Sequence, residues 1–161
     1  MGRSIALALA ESGAKVAISG RRMEMLKSTA DKLESDKTIF CKQADVTNRQ
    51  SLESLFEWFD KTVGNLDCLI HAAGINVALR SMQELSPEDW DKLIEINLTG
   101  SYNVLRLALD RMRPNKSGQI ILVNSVAGRR SVPLGGIGYN ASKFGLTGLG
   151  VGLAEEEKDN G

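Results

Sequence analysis

The chain has 161 residues, 42% hydrophobic and 25% charged, with 16 glycines and three prolines, the make-up of one soluble α/β domain or part of one. Twenty basic residues balance twenty acidic ones, so no general attraction to nucleic acid or anionic lipid is written into it. No apolar run reaches the length of a membrane span and the N-terminus has no signal-peptide pattern, which makes a cytoplasmic location the expectation.

Gly2 runs directly into a helix of small residues over 3–12, closed by Gly13. KVAIS reads as a short strand, and Gly20, Arg21 and Arg22 lead into a charged amphipathic helix over 21–35. TIFCKQ is a second strand, followed by the turn Asp45, Val46, Thr47, Asn48. Leu52, Leu55, Phe56, Phe59 and Val63 repeat at helical spacing, and LDCLIHAAG is a strand running out into small residues. Ser86, Pro87, Glu88 and Asp89 start a long helix that the pattern carries to Met112. GQIILVNS is a continuous apolar strand, of the kind buried on both faces of a parallel sheet. The glycine-bearing loop RRSVPLGGIG precedes a last helix over 139–157. Cys41 and Cys68 lie in apolar strand-like runs without metal-ligand spacing, so buried free thiols and no metal site are expected.

The order α-β-α-β-α-β-α-β-α predicts a parallel, doubly wound sheet within a single domain, 1–161. Ligands on such sheets sit beyond the C-terminal ends of the strands, near Ser19, Asp45, His71 and Ser125. Tyr139 and Lys143 are four apart on a helix and share a face. A phenol titrates near pH 10, and a fixed cation beside it favours the phenolate needed to exchange a proton with an alcohol or ketone. That spacing is common by chance. It gains weight from Ser125 at a strand end, where a hydroxyl can hold a substrate oxygen. A serine-hydrolase reading lacks the G-x-S-x-G elbow, and His71 closes a different strand.

Taken together, DVTN, HAAG, the Asn of EINLTGSYNV, NSVAG and YNASK resemble, in order and approximate spacing, the short-chain dehydrogenase/reductases. The resemblance implies a Rossmann-like fold and hydride transfer between nicotinamide C4 and a carbonyl carbon. It implies Tyr139 as general acid/base and Lys143 as its activator, also holding the nicotinamide ribose. Ser125 would orient the carbonyl, and Asn97 would hold a water linking Lys143 to solvent. Asp45 and Val46 would flank the adenine, and the turn His71, Ala72, Ala73, Gly74 would pack beside the adenine-side ribose. Gly2 matches the last glycine of the family's phosphate-binding turn. The first strand, the rest of that turn and the C-terminal strands have no counterpart here, so a truncated chain is expected.

Enzymes of this architecture that use NAD tend to carry an acid after the strand KVAIS. Arg21 and Arg22 stand there instead and suit a 2′-phosphate, so NADP(H) is expected over NAD(H). His71 stands where the family usually has Asn, Asn124 where a second Ser is common, and the interval from Ser125 to Tyr139 is one residue longer than usual. The loop between them reads as a flexible apolar wall. Sugars, steroids, 3-oxoacyl thioesters and simple ketones all remain open as substrates. A 3-oxoacyl-carrier-protein reductase is the alternative among enzymes. Another is a non-catalytic module that keeps the fold's dimer surface, since in the family the helices carrying Asn97 and Tyr139 pair subunits into homodimers or homotetramers. Glycines 145, 148, 150 and 152 would let another helix approach closely.

Overall fold

In the computed structural model, which describes residues 1–33 and 38–161, helices and parallel strands alternate in the expected order. The chain divides into two compact units, Met1–Leu66 and Asp67–Gly161.

The first unit holds α1 (Gly2–Glu11), β1 (Val16–Gly20), α2 (Met23–Ala30), β2 (Ile39–Gln43) and α3 (Arg49–Thr62). β1 and β2 pair in parallel from Val16↔Ile39 to Gly20↔Gln43. Their apolar side chains close on the small face of α1, burying Ala6 and Ala10 with Val16 and Ile39. Alanine at both positions lets the helix backbone lie near the strands. Asn48 caps α3, its Oδ1 accepting from Ser51 N at 2.9 Å, and α3 buries Leu52 and Phe56. α2 is shorter than the expected 21–35. Arg22 is its N-cap, and after Ala30 the amides of Lys32 and Leu33 reach only three residues back, a tightening turn that ends the helix. The last two positions of that expected helix, 34 and 35, lie outside the described residues.

The second unit holds β3 (Cys68–His71), α4 (Pro87–Ile94), a π-helical turn (Glu95–Thr99), α5 (Gly100–Met112), β4 (Gln119–Leu122) and α6 (Ile137–Glu157). β3 and β4 are parallel, from Cys68↔Gln119 to His71↔Leu122. Ser86 caps α4 through its hydroxyl, which accepts from Asp89 N at 3.1 Å, and Pro87 occupies the first turn. Parallel strands joined throughout by helices make this a Rossmann-like α/β architecture.

Three expectations change. The helix from Ser86 to Met112 is broken by the π-turn at Asn97. β4 is not buried on both faces: it alternates, with Ile121 41% exposed, and among the described residues it pairs with β3 alone. Of the two free thiols, Cys68 is exposed at the start of β3 and Cys41 is half-buried. No helix among the described residues is long and apolar enough to cross a membrane, and no cluster of metal-ligating side chains occurs among them.

Candidate active site

α6 brings Tyr139 and Lys143 one helical turn apart, with Lys143 Nζ 5.7 Å from the centre of the Tyr139 ring. Lys143 is only 4% exposed, an unusual setting for an ammonium group. Its Nζ donates to Val123 O at 3.4 Å, just beyond β4, and burial lowers its pKa from the ordinary lysine value. The backbone of Gly74 passes close by: a β-carbon there would lie 3.5 Å from Lys143 Nζ and 3.4 Å from Asn97 Oδ1.

Asn97 is fully buried and is a structural hub. Its Oδ1 accepts from Ile75 N at 2.8 Å, and its Nδ2 donates to Ile75 O at 3.0 Å and to Ser142 Oγ at 3.0 Å. Ser142 Oγ in turn donates to Tyr139 O at 2.9 Å. One amide therefore ties the chain leaving β3 to the helix that carries Tyr139 and Lys143. The π-turn accompanies this arrangement, with Gly100 N reaching Glu95 O, five residues back.

Ser125 follows β4 and caps a single 3-10 turn, its Oγ accepting from Ala127 N at 3.2 Å. That bond uses a lone pair and leaves the hydroxyl proton available. Beside it, Asn124 Nδ2 donates to Thr147 Oγ1 at 2.8 Å, and Thr147 donates to Gly128 O at 2.8 Å. Gly128 packs so tightly on α6 that a β-carbon would stand 2.6 Å from Lys143 O and 2.7 Å from Asn124 Nδ2. Neither neighbour is a flexible side-chain tip free to swing away. Gly128→Ala is expected to cost about 3 kcal/mol through overpacking, read from the urea midpoint of the full chain.

The loop 129–138, expected to be a flexible wall, is tied down at several points. Asn140 accepts from Val132 N at 2.8 Å and donates to Val132 O at 2.9 Å and Gly136 O at 2.6 Å. Asn76 Nδ2 holds Gly135 O at 3.1 Å, and Arg80 holds Leu134 O at 2.9 Å. Gly136 has φ +75° with the Arg80 backbone against it, so no other residue fits there without strain. Backbone carbonyls that need donors, rather than glycine content, decide how this loop behaves.

His71 closes β3 with its side chain 5% exposed and its Nε2 2.9 Å from Ser101 Oγ. Ser101 Oγ donates to Asn97 O at 2.7 Å. Burial first, and the charge of Lys143 second, push the imidazole pKa from 6.5 down to about 4. A depressed basic pKa means the unfolded chain takes up the proton first as pH falls. This contribution to stability is complete above pH 6.5, drains away between 6.5 and 4, and is spent below. Its size is about 3 kcal/mol. From pH 7 to pH 4 the natural chain is expected to lose that amount of urea stability beyond what His71→Gln loses, because glutamine at 71 does not titrate.

In the first unit, an open hollow of about 620 Å³ is lined by Arg21, Met23, Lys42, Gln43, Ala44, Asp45 and Ser51. Asp45 Oδ1 accepts from Thr47 N at 3.0 Å and Thr47 Oγ1 at 2.9 Å, which fixes the turn after β2. Arg21 is held near the strand ends by Gln43 Nε2, which donates to Arg21 O at 2.8 Å. Gly2 is the first residue of α1, whose N-terminus has no side-chain cap and no acid in its first turn.

The family profile described as short chain dehydrogenase matches residues 1–161, the whole chain. The chain belongs to the short-chain dehydrogenase family. An uncharacterized oxidoreductase of Listeria monocytogenes is 35% identical over 165 residues, covering all of this chain and 64% of that protein. Among solved structures, levodione reductase superposes with a TM-score of 0.94 at 28% identity, over 99% of this chain and 62% of that one. An alcohol dehydrogenase from the archaeon Thermococcus sibiricus, complexed with 5-hydroxy-NADP, gives 0.90 at 29% identity, over 98% of this chain and 67% of that one. The chain thus spans somewhat under two thirds of the length of the Listeria oxidoreductase and of levodione reductase.

Against this family frame, the second unit brings together Asn97, Gly74, Tyr139 and Lys143 around one stretch of backbone. In the first unit Arg21 and Asp45 share the hollow, while Arg22 does not line it. Sequence reasoning passed over Ser142, Ser101, Asn140 and Lys42. Ser142 was legible inside YNASK, and Ser101 was legible as the residue one helical turn after Asn97.

Proposed function

We propose that the chain is the dinucleotide-binding and catalytic core of an oxidoreductase that interconverts a carbonyl and a secondary alcohol, its two units acting as one domain. The observation that carries this reading is the Tyr139–Lys143 pair on α6, with the Lys143 ammonium buried and tethered to Val123 O. NADPH, when bound, supplies the hydride. Tyr139 exchanges the proton with the substrate oxygen, with the Lys143 ammonium held beside its ring. Ser125 turns its free hydroxyl proton toward the same oxygen. Asn97 keeps α6 seated on the chain leaving β3.

The donor set of the first-unit hollow fits the adenosine end of a phosphorylated dinucleotide. Arg21 and Lys42 supply two cations, Asp45 and Ser51 supply polar groups, and Arg21 can grip a phosphate bidentately. Val46 belongs to the same turn, and the uncapped N-terminus of α1 at Gly2 favours the pyrophosphate charge. The turn His71, Ala72, Ala73, Gly74 serves through its backbone. The NADP-type ligand of the archaeal alcohol dehydrogenase supports the same class of cofactor.

The test is calorimetric titration of the full chain with NADPH and NADH, followed by a panel of ketones, sugars, steroids and 3-oxoacyl thioesters. NADPH is expected to bind at least about tenfold more tightly, a margin of about 1.4 kcal/mol, and Arg21→Glu is expected to remove it. Tighter binding of NADH overturns the cofactor assignment. NADPH binding without turnover of any carbonyl overturns the catalytic reading.

A further inference from the structure

His71 is the only histidine of the chain, it is nearly inaccessible, and the chemistry proposed above makes no use of its side chain. Its surroundings explain why a histidine stands there. The π-turn draws Gly100 N back to Glu95 O, five residues rather than four. Asn97 O lies within the turn and accepts the Ser101 hydroxyl at 2.7 Å. A hydroxyl has a single proton, and Ser101 Oγ also has His71 Nε2 at 2.9 Å. Were Nε2 bare, it would compete with the Asn97 carbonyl for that proton, and with the proton committed to Asn97 O the buried Nε2 would face only a lone pair.

We propose that His71 is a positioning residue, its Nε2–H donating to Ser101 Oγ so that the Ser101 proton is committed to the Asn97 carbonyl and the π-turn that aims the Asn97 amide at Ile75 and Ser142 is locked. The relay runs His71 Nε2–H to Ser101 Oγ–H to Asn97 O, and each acceptor along it meets one donor. The imidazole remains neutral at neutral pH because burial and the Lys143 charge oppose its protonation, so it offers one N–H in one fixed tautomer. Leucine or phenylalanine at 71 fills the space and cannot donate. Glutamine carries an amide N–H at about the reach of Nε2 and keeps the bond. The geometric part of this inference stands without the proposed reaction, and only its effect on turnover rests on that reading.

Long-range nitrogen–proton correlation spectra of the labelled full chain are expected to show His71 as the neutral Nε2–H tautomer. The Nδ1–H tautomer overturns the proposal. Amide exchange across residues 95–101 is expected to quicken at least tenfold in His71→Leu and in Ser101→Ala, with α3 amides unchanged, and to return to the natural rate in His71→Gln. Unchanged exchange in Ser101→Ala overturns the proposal even if His71→Leu does not fold. In turnover, His71→Leu is expected to lose about tenfold in kcat at unchanged NADPH KM, restored by His71→Gln. If the natural chain reduces no carbonyl, the oxidoreductase reading fails, while the tautomer and exchange results still decide the role of His71.

Discussion

Replacing Tyr139 with Phe is expected to lower NADPH-dependent carbonyl reduction about 10³-fold, within the range that positioned acid–base groups contribute. The ring is half-buried, with Gly135 against its edge at 3.3 Å from the β-carbon position to Cδ1, and phenylalanine keeps those contacts. Among the described residues none shares a hydrogen bond with the Tyr139 hydroxyl, so its removal breaks no internal bond. Stability and NADPH affinity are therefore expected to stay within about twofold, a difference of about 0.4 kcal/mol. Lys143→Met tests the partner. It removes the charge beside the ring and the donor to Val123 O, so both kcat and cofactor affinity should fall. Full activity in Tyr139→Phe would overturn the assignment of this residue as the acid/base. Steady-state rates with the best substrate of the panel, alongside a urea titration of each variant, separate loss of chemistry from loss of fold.

The largest stability effect is expected at Asn97. Asn97→Ala takes away the three hydrogen bonds of a side chain with no exposure and leaves the half-buried Ile75 N and Ile75 O without these partners. Each stranded group costs about 1–3 kcal/mol, and the vacated volume adds to this, giving an expected loss of about 4 kcal/mol. Asn97→Asp preserves the acceptor for Ile75 N but turns an acceptor toward Ile75 O and Ser142, so it should rescue little. The check is the shift in urea midpoint at unchanged slope. A loss below about 1 kcal/mol, the size of one ordinary hydrogen bond, would mean that Asn97 is not the hub that holds α6 in place.

Much of this site was legible in the linear chain because helical spacing is local. Tyr139 and Lys143 must share a face once residues 137–157 form a helix. The apolar neighbours Ile94, Ile96 and Leu98 suggest partial burial of Asn97, and its burial is complete. The π-turn was not legible. It depends on the Asn97 amide meeting Ile75, 22 residues earlier, and no local propensity encodes that pairing. The loop 129–138 misled for a similar reason. Its glycines suggested freedom, yet Asn76, Arg80 and Asn140 reach it from other segments and satisfy its carbonyls. Lys42 was hidden because a strand residue shows its face only when the neighbouring turn is in place.

By itself the sequence determined the alternation of helices and parallel strands and the helix face shared by Tyr139 and Lys143. These depend on the 3.6-residue and two-residue periods, which are properties of neighbouring positions. Only the tertiary structure decided the partners of Asn97, the buried relay from His71 through Ser101, the tethered loop and the exposure of Cys68. Each depends on which backbone groups, distant along the chain, arrive in a dry place needing a donor or an acceptor.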